Sequence, residues 1–329
     1  METVVSGIRP TGKLHLGNYF GAIKNFVKMQ YENNCFFFIA DYHSLTTYPN
    51  PNDLHTNVKQ ILIEYLAVGI NPDIATLYIQ SNLPETAELY LLLNMNAYIG
   101  ELQRCTSFKE KIKKQPNNIN AGLLTYPTLM ASDIIIHKAL KVPVGKDQEQ
   151  HLEMTRTFVR RFNRMYKVDY FPEPYAYNFE QELIKIPGLD GGTKMGKTDG
   201  NAIYLSDEPE IIRKKIMKSV TDKGPTKDNQ AKPQAIKNLF YLMKIISLED
   251  TYNYFDEHYN NCNIRYGDMK KQLAEDVINF TNPLRKKIAE LSVDSDYLKK
   301  VVKQGTEKAH ISASKTIKEV RDIVGLKKF

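Results

Sequence analysis

The sequence predicts an α/β fold: a parallel sheet with crossover helices, followed by a helical C-terminal domain. Two observations carry this. Strand-like runs rich in β-branched and aromatic residues alternate with helical stretches through the first part of the chain, and after about Asp207 the pattern turns wholly helical. Thr3 to Ser6 reads as a short β-branched strand, residues 7 to 14 as a turn-rich loop shaped by Gly7, Pro10 and Gly12, and residues 18 to 31 as an amphipathic helix. Cys35 to Asp41 (CFFFIAD) and Ala75 to Gln80 (ATLYIQ) supply two more strands, separated by helices over 53 to 68 and followed by one over 86 to 99. Such a β-α-β-α rhythm implies parallel pairing. Ligands then bind beyond the carboxyl ends of the strands, where Arg9 to Asn18, Asp41 to Ser44 and Gln80 to Asn82 fall.

Further along, the polar tract KKQPNNINAG around 113 to 122 is expected to form a flexible connector, a helix to begin near Glu149, and a strand to run from Ala202 to Leu205. Helices are expected at 208 to 219, 233 to 246, 249 to 258, 268 to 280, 283 to 290 and 311 to 324. Asp268 suits an N-cap, with Met269, Leu273 and Val277 on one face. Ile317, Val320 and Val324 form a stripe that stops at Gly325, a C′ residue. The chain is expected to divide into residues 1–206 and 207–329, with the last helix packing back on the first part.

At 329 residues with 42% hydrophobic content, the chain can bury a sizeable core and exceeds one typical domain. Cys35, Cys105 and Cys262 lie far apart and make no C-x-x-C or His/Cys cluster, so a reduced, cytoplasmic setting without structural zinc is expected. No apolar run approaches the roughly 20 residues of a membrane span and no targeting signal is read, so no membrane partner is expected. The net charge is +7. Residues 1 to 200 hold 21 Lys+Arg against 20 Asp+Glu, whereas 201 to 329 hold 24 against 18, so the helical part is better suited to meet a polyanion. Interspersed Glu275, Asp276, Glu307 and Glu319 equally fit a solvated set of helix faces.

Two short segments carry the chemistry. In His15-Leu16-Gly17-Asn18, exposed N–H groups at a helix start favour phosphate oxygens, His15 and Asn18 can donate to them, and Gly17 lets a ligand approach the backbone. An isolated tetrapeptide of this kind is more simply a surface loop. The second, Lys194-Met195-Gly196-Lys197-Thr198, sits in a glycine-rich loop, and its two flexible ammonium groups suit closure over a triphosphate. Alone it reads equally well as a basic surface loop.

Together with the order of the residues between them, these segments show a resemblance. SGIRPTGKLHLGNYFGAI resembles the signature of class I aminoacyl-tRNA synthetases in their tryptophanyl form, KMGKT resembles their mobile lysine loop, and GLLTYPTLMASDIIIHKALKVPVGKDQEQHLEMTR resembles their amino-acid pocket and following helix. The resemblance covers nearly the whole chain. It implies a Rossmann-like catalytic domain, a helical anticodon-binding domain, a homodimer, and activation of L-tryptophan with ATP and Mg²⁺ before transfer to the 2′-hydroxyl of the terminal adenosine of tRNA(Trp). By resemblance Lys111, Lys194 and Lys197 are catalytic. ATP is met by Arg9, Thr11, His15, Gly17, Asn18, Gly145, Asp147, Lys194, Met195 and Lys197, and tryptophan by Val5, Gly7, His43, Tyr126, Met130, Asp133, Val142, Val144 and Gln148.

The physical demands agree with those assignments. In-line attack of a carboxylate on the α-phosphate needs two anions positioned and charge spread, with no nucleophilic side chain. An indole buries a large apolar face and one N–H donor, which Asp133 matches. Phenylalanine would leave that acceptor unpaired, a rejection worth about 10⁴ to 10⁵. Tyrosine must be excluded by pocket depth. Met130, Val142 and Val144 fit plain core as well, His43 a satisfied buried histidine, and Asp147 and Gln148 a helix cap. Mg²⁺ is expected to travel on ATP through phosphate oxygens and water.

Two departures stand out. Gly196 and Thr198 replace the serines of the usual K-M-S-K-S loop, which is expected to leave a more flexible hinge. Arg9 stands where many family members carry glutamine, and its forked cation can reach the γ-phosphate. Arg285, Lys286 and Lys287 are candidate anticodon contacts. A tyrosyl-tRNA ligase, a non-ligating nucleotidyltransferase and a noncatalytic tRNA-binding paralogue remain as alternatives.

Overall fold

The computed structural model describes residues 1–145, 148–177, 185–192, 194–197 and 200–327. Strands β1 (Thr3–Ile8), β2 (Asn34–Ile39), β3 (Thr76–Ile79), β4 (Lys141–Val142) and β5 (Tyr175–Ala176) form one sheet in the order β3-β2-β1-β4-β5. Every pairing is parallel. β1 and β2 are aligned from Thr3 opposite Asn34 to Ile8 opposite Ile39. Cys35 to Ile39 are all buried, because helices cover both faces of the sheet and leave no polar side to the strand. The chain leaves β1 toward β2 on one side and returns through β4 on the other, so the order reverses at β1. Ligand chemistry in open parallel sheets gathers at such a point. The fold is Rossmann-like, with a helical C-terminal region.

Beyond β1, helix α1 (Leu16–Asn18) passes through a π-turn at Tyr19–Ile23 into α2 (Lys24–Met29). α3 (Asp41–Ser44) and a 3₁₀ turn at Leu45–Thr47 follow β2, and α4 (Pro51–Ala67) crosses over to β3. The helix expected at 86 to 99 is two, α5 (Pro84–Asn94) and α6 (Ile99–Arg104), followed by α7 (Thr106–Lys114), α8 (Ala121–Leu124) and α9 (Tyr126–Ile135). α10 (Glu149–Tyr166) begins where a helix was expected.

The tract around 113 to 122 is not a loose connector. Gln115 Nε2 and Asn120 Nδ2 both donate to the Thr46 carbonyl, at 3.3 and 3.1 Å, while Asn120 Oδ1 accepts from Leu123 N–H at 3.1 Å and so caps α8. Ala202 to Leu205 does not form a strand either. It makes an isolated antiparallel bridge, His15 opposite Tyr204, with Leu16 N–H on the Ile203 carbonyl and Leu205 N–H on the Leu14 carbonyl, each 3.0 Å.

The C-terminal region consists of α11 (Pro209–Met217), α12 (Gln234–Ile246), α13 (Glu249–Asn260), α14 (Tyr266–Val293) and α15 (Ser295–Ile323). Two helices expected at 268 to 280 and 283 to 290 are one, with Pro283 inside α14. A proline removes one helical hydrogen bond, yet the buried face from Met269 through Leu273, Val277 and Ile288 to Leu291 holds the helix together across it. Asp268 lies in the first turn, where its charge suits the dipole, and Arg265 takes the N-cap position instead. Gly325 has φ +86 just past Val324, as a helix-ending glycine requires.

Helix α15 runs back onto the sheet. At Gly305 a Cβ would stand 1.8 Å from the Leu77 carbonyl oxygen, so only glycine lets this helix lie directly on β3. Ser314 donates to Glu85 at 2.7 Å, Arg321 pairs with Glu88 at 2.9 Å through Nη2, and Ser312 Oγ meets His137 Nδ1 at 3.0 Å. One apolar cluster joins Val4, Leu14 and Ile203 to Ile212, Leu239, Met269 and Leu298, and a second joins Val5, Phe38 and Ile134 to Ala309, Ala313 and Val320. Secondary structure changes near 206/207, but the core does not break there. Among the described residues no helix is long and apolar enough to cross a membrane.

Replacing Gly305 by valine is expected to remove about 3 kcal/mol or more of unfolding free energy in a urea titration, because the new Cβ meets backbone that cannot step aside. Gly267→Ala, in open space at the start of α14, should stay within about 0.5 kcal/mol. Equal shifts in the two variants would contradict close packing at Gly305.

Candidate active site

The turn after β1 is built around a reciprocal cap. His15 Nδ1 accepts from Asn18 N–H at 3.3 Å while Asn18 Oδ1 accepts from His15 N–H at 3.1 Å. This fixes the imidazole tautomer, placing the ring proton on Nε2, where it can be donated. Burial first, then the charges of Lys197 and Lys194, hold the His15 pKa down to about 4. Gly17 has a steric reason beyond the one read in the sequence: a Cβ there would lie 2.9 Å from the His15 ring and 3.5 Å from Met195 Cβ. The glycine makes room for His15 itself.

Opposite this turn stands the lysine loop. Lys197 Nζ donates to the Gly12 carbonyl at 2.7 Å and to Thr11 Oγ1 at 3.3 Å, so the loop lies closed across the first segment. Burial lowers the Lys197 pKa to about 8, with Glu64 acting in the other direction. Met195 is buried in the core, so its side chain packs and does not face the loop's outer side. Lys194 is exposed. The loop is also braced, against the loose hinge expected of Gly196. Asn201 Oδ1 accepts from Gly196 N–H at 2.9 Å, and Asn201 Nδ2 donates to Asp190 Oδ1 at 3.0 Å and to the Lys194 carbonyl at 3.3 Å. Gly188 permits that clasp, since a Cβ there would come within 2.3 Å of Asn201 Nδ2. Thr198 lies outside the described residues.

Arg9 and Lys111 supply the third wall. Arg9 Nη2 reaches Thr47 Oγ1 at 3.5 Å, while its Nε is buried without a hydrogen-bond partner among the described residues. Lys111 Nζ lies 3.4 Å from the centroid of the Tyr126 ring. Burial and the Arg9 guanidinium lower the Lys111 pKa to about 8. Lys111 and Lys197, both held below the ordinary lysine pKa, are groups whose charge a nearby anion would favour.

The second half of the site is acceptor-rich. Asp133 on α9 is 2% exposed, and its two oxygens receive His43 Nε2 at 2.8 Å and Gln80 Nε2 at 2.7 Å. Burial pushes the Asp133 carboxyl up, and the hydrogen bonds from His43 and Gln80 oppose that. With those donors committed, His43 Nδ1 and Gln80 Oε1 are buried with no partner among the described residues. An occupant with N–H groups to give would satisfy both. The His43 and Tyr126 rings stand 4.3 Å apart, and Tyr126 lies 5.5 Å from His151, whose Nδ1 meets Gln148 Oε1 at 2.9 Å.

Val5 and Val142 are wholly within the core, with Met130 and Val144 half-buried against it. Above Gly7 the Cβ direction is filled by the Phe38 ring, 2.4 Å away, so only its backbone is open to a ligand. The Gly145 carbonyl accepts from Gln148 N–H at 2.9 Å. Asp147 lies outside the described residues. Sequence reasoning placed Gln80 at this edge without a role and missed Glu64, Asp190 and Asn201. A charge inside the apolar run ILIEYLA was the one visible signal for Glu64.

A parallel sheet whose order reverses at β1, with a lysine loop from far along the chain held against the turn after that strand, is the arrangement of a class I aminoacyl-tRNA synthetase. The chain belongs to the family of tRNA synthetases class I (W and Y), whose model matches residues 2–282. It is 61% identical over 327 residues to a tryptophan–tRNA ligase of Porphyromonas gingivalis, covering 99% of this chain and 100% of that one. A tryptophan–tRNA ligase of Fusobacterium nucleatum is 40% identical over 326 residues, covering 99% and 98%. The crystal structure of tryptophanyl-tRNA synthetase from Campylobacter jejuni complexed with ADP and tryptophan superimposes with a TM-score of 0.89 at 32% identity, covering 98% of this chain and 99% of that one.

His15 titrates at about 4 in the folded chain against an ordinary 6.5, so the unfolded state binds more protons between those values and this histidine's contribution to stability falls as pH drops from 6.5 toward 4. In ¹H–¹⁵N spectra of the folded protein at about pH 6, between those two values, its ring should be neutral with the proton on Nε2. An imidazolium at that pH would contradict the capped, desolvated geometry.

Proposed function

We propose that this site performs both steps of a tryptophan–tRNA ligase. The tryptophan carboxylate attacks the α-phosphate of ATP, releasing pyrophosphate, and the adenylate then passes tryptophan to the 2′-hydroxyl of the terminal adenosine of tRNA(Trp). The observation that carries the reading is the division of one edge into a cation-rich half and an acceptor-rich half, which matches a triphosphate beside an ammonium and an indole N–H. Likeness to tryptophan–tRNA ligases over the full chain supports it.

In this reading Lys194 and Lys197 hold the pyrophosphate, Lys111 assists from the opposite wall, and Arg9, Thr11, His15 and Asn18 meet phosphates. Backbone at Gly17, Gly145 and Met195, with Asp147, borders adenosine. Closure of the lysine loop spreads charge as the α-phosphate passes through its transition state. Asp133, held between His43 and Gln80, accepts the indole N–H. Tyr126, His43 and Gln148 lie toward the amino and carboxyl groups, with Val5, Gly7, Met130, Val142 and Val144 shaping the slot. The side chains proposed to meet the phosphates, Arg9, His15, Asn18, Lys111, Lys194 and Lys197, would do so through N–H groups, which do not ligate a metal. Mg²⁺ therefore enters on the triphosphate, through phosphate oxygens and water.

Residues 1–206 carry activation and 207–329 meet the anticodon, with Arg285, Lys286 and Lys287 as candidate contacts. Arg285 pairs with Glu208 at 2.7 Å and Lys287 with Glu290 at 3.0 Å, exposed ion pairs that a phosphate can displace at little cost. Homodimer formation is supported by the apolar group Leu91, Met95, Tyr98 and Ile99, of which Met95 is 73% exposed. Function in the cytoplasm accords with three free cysteines.

Tryptophan is expected to drive ATP–pyrophosphate exchange and tyrosine is not; exchange with tyrosine alone would overturn the reading. Asp133→Ala should raise the KM for tryptophan by about 10- to 100-fold, as loss of a buried acceptor for the indole N–H implies. Arg9→Gln should raise the KM for ATP while leaving that for tryptophan in place, and unchanged ATP kinetics would remove Arg9 from the phosphate site.

A further inference from the structure

Glu64 is a carboxylate in the wrong surroundings for one. It sits on the inner face of α4 at 0% exposure, between Ile63 and Tyr65 in an apolar run. Its Oε2 accepts from Leu14 N–H at 2.7 Å, fifty residues away along the chain, and its Oε1 accepts from Gln60 Nε2 at 2.8 Å. Burial pushes its carboxyl up to about 7, opposed by those two hydrogen bonds and by the charges of Lys197 and Lys13. Keeping an ionisable group there is costly when an apolar residue would fill the space.

Leu14 is the residue at which the phosphate-facing turn is tied down. Its N–H goes to Glu64 and its carbonyl takes Leu205 N–H at 3.0 Å, so one residue is gripped from the core side by α4 and from the other by the segment that follows the lysine loop. Gly12, two residues earlier, offers the carbonyl that Lys197 holds, and His15, one residue later, begins the cap. Among the described residues Glu64 supplies the side-chain acceptor for the Leu14 amide.

We infer that Glu64 is a positioning residue for ATP: by fixing the Leu14 amide from beneath, it sets where Gly12, His15 and Lys197 stand relative to the triphosphate. This rests on the phosphate-site reading given above. What matters in this role is the reach of the acceptor, so a side chain of the same length serves and a shorter one does not. Asp133 and its partners belong to a different set of elements, α9, α3 and the turn after β3, so the effect falls on ATP and spares tryptophan.

Two substitutions separate reach from charge. Glu64→Asp keeps the charge and falls short of Leu14; Glu64→Gln keeps the reach and loses the charge. In ATP–pyrophosphate exchange by the full chain, Glu64→Asp is expected to raise the KM for ATP by about tenfold, the order set by one buried N–H left without its acceptor, with the KM for tryptophan within about twofold of the parent. Glu64→Gln should restore the ATP KM to within about threefold of the parent, since a neutral amide oxygen accepts the same hydrogen bond. The inference is overturned if Glu64→Asp leaves ATP kinetics unchanged, if it raises both KM values alike, or if Glu64→Gln is as impaired as Glu64→Asp. Lys197→Ala, run alongside, tests the underlying site: parental ATP kinetics in that variant would remove the phosphate-site reading itself, whereas impaired Lys197→Ala with parental Glu64→Asp would remove only the role of Glu64.

Discussion

Two backbone hydrogen bonds, Leu16 to Ile203 and Leu205 to Leu14, join segments that the chain places far apart. The meeting of the turn after β1 with the lysine loop follows from that short bridge. It brings Met195 beneath Gly17, leaves no room beside the His15 ring for any larger residue there, and sets Lys197 within reach of Gly12. Holding ends so distant carries a closure cost that grows only slowly with length, so a few well-buried contacts can meet it. Leu14, Leu16, Ile203 and Leu205 are fully buried and provide them.

The edge so assembled stores unfavourable electrostatics. Lys111 and Lys197 are held near 8, and His15 is kept neutral, all chiefly by loss of solvent. Such strain is tolerable only because the surrounding packing over-determines the geometry, and an anion placed there would relieve it. The acceptor side works in the reverse sense. Asp133 is steadied by two donors, and the acceptors those donors leave bare await N–H groups. The two sides therefore differ in polarity, cations on one and buried acceptors on the other, before any ligand arrives.

Local pattern made much of this legible. The aromatic run at Cys35, the β-branched run at Thr3 and the stripe of Met269, Leu273 and Val277 each report their own burial, because side-chain periodicity is set by the element they form. What escaped were relations fixed by distant partners. The Thr46 carbonyl orders Gln115 and Asn120, Asn201 braces Gly196, and α14 continues through Pro283 because of the face it buries. At the site, the sequence offered His15, Lys194, Lys197 and Asp133 as candidates, and the structure sets Lys197 against the turn that carries His15. The steric reasons for Gly7 and Gly17 could not be read there, since Phe38 and His15 claim those spaces only in three dimensions.

The seating of α15 on β3 through Gly305 also bears on how the protein is made. β3 leaves the ribosome early, with Leu77 and Tyr78 bound for burial, but the helix that covers part of it is synthesised only after the whole run from α11 to α14. Until then the nascent sheet carries an open apolar face and an edge without its final cover, the condition in which growing chains draw on chaperones. The sheet therefore reaches its final burial only after α15, the last helix of the chain to be made, has been synthesised.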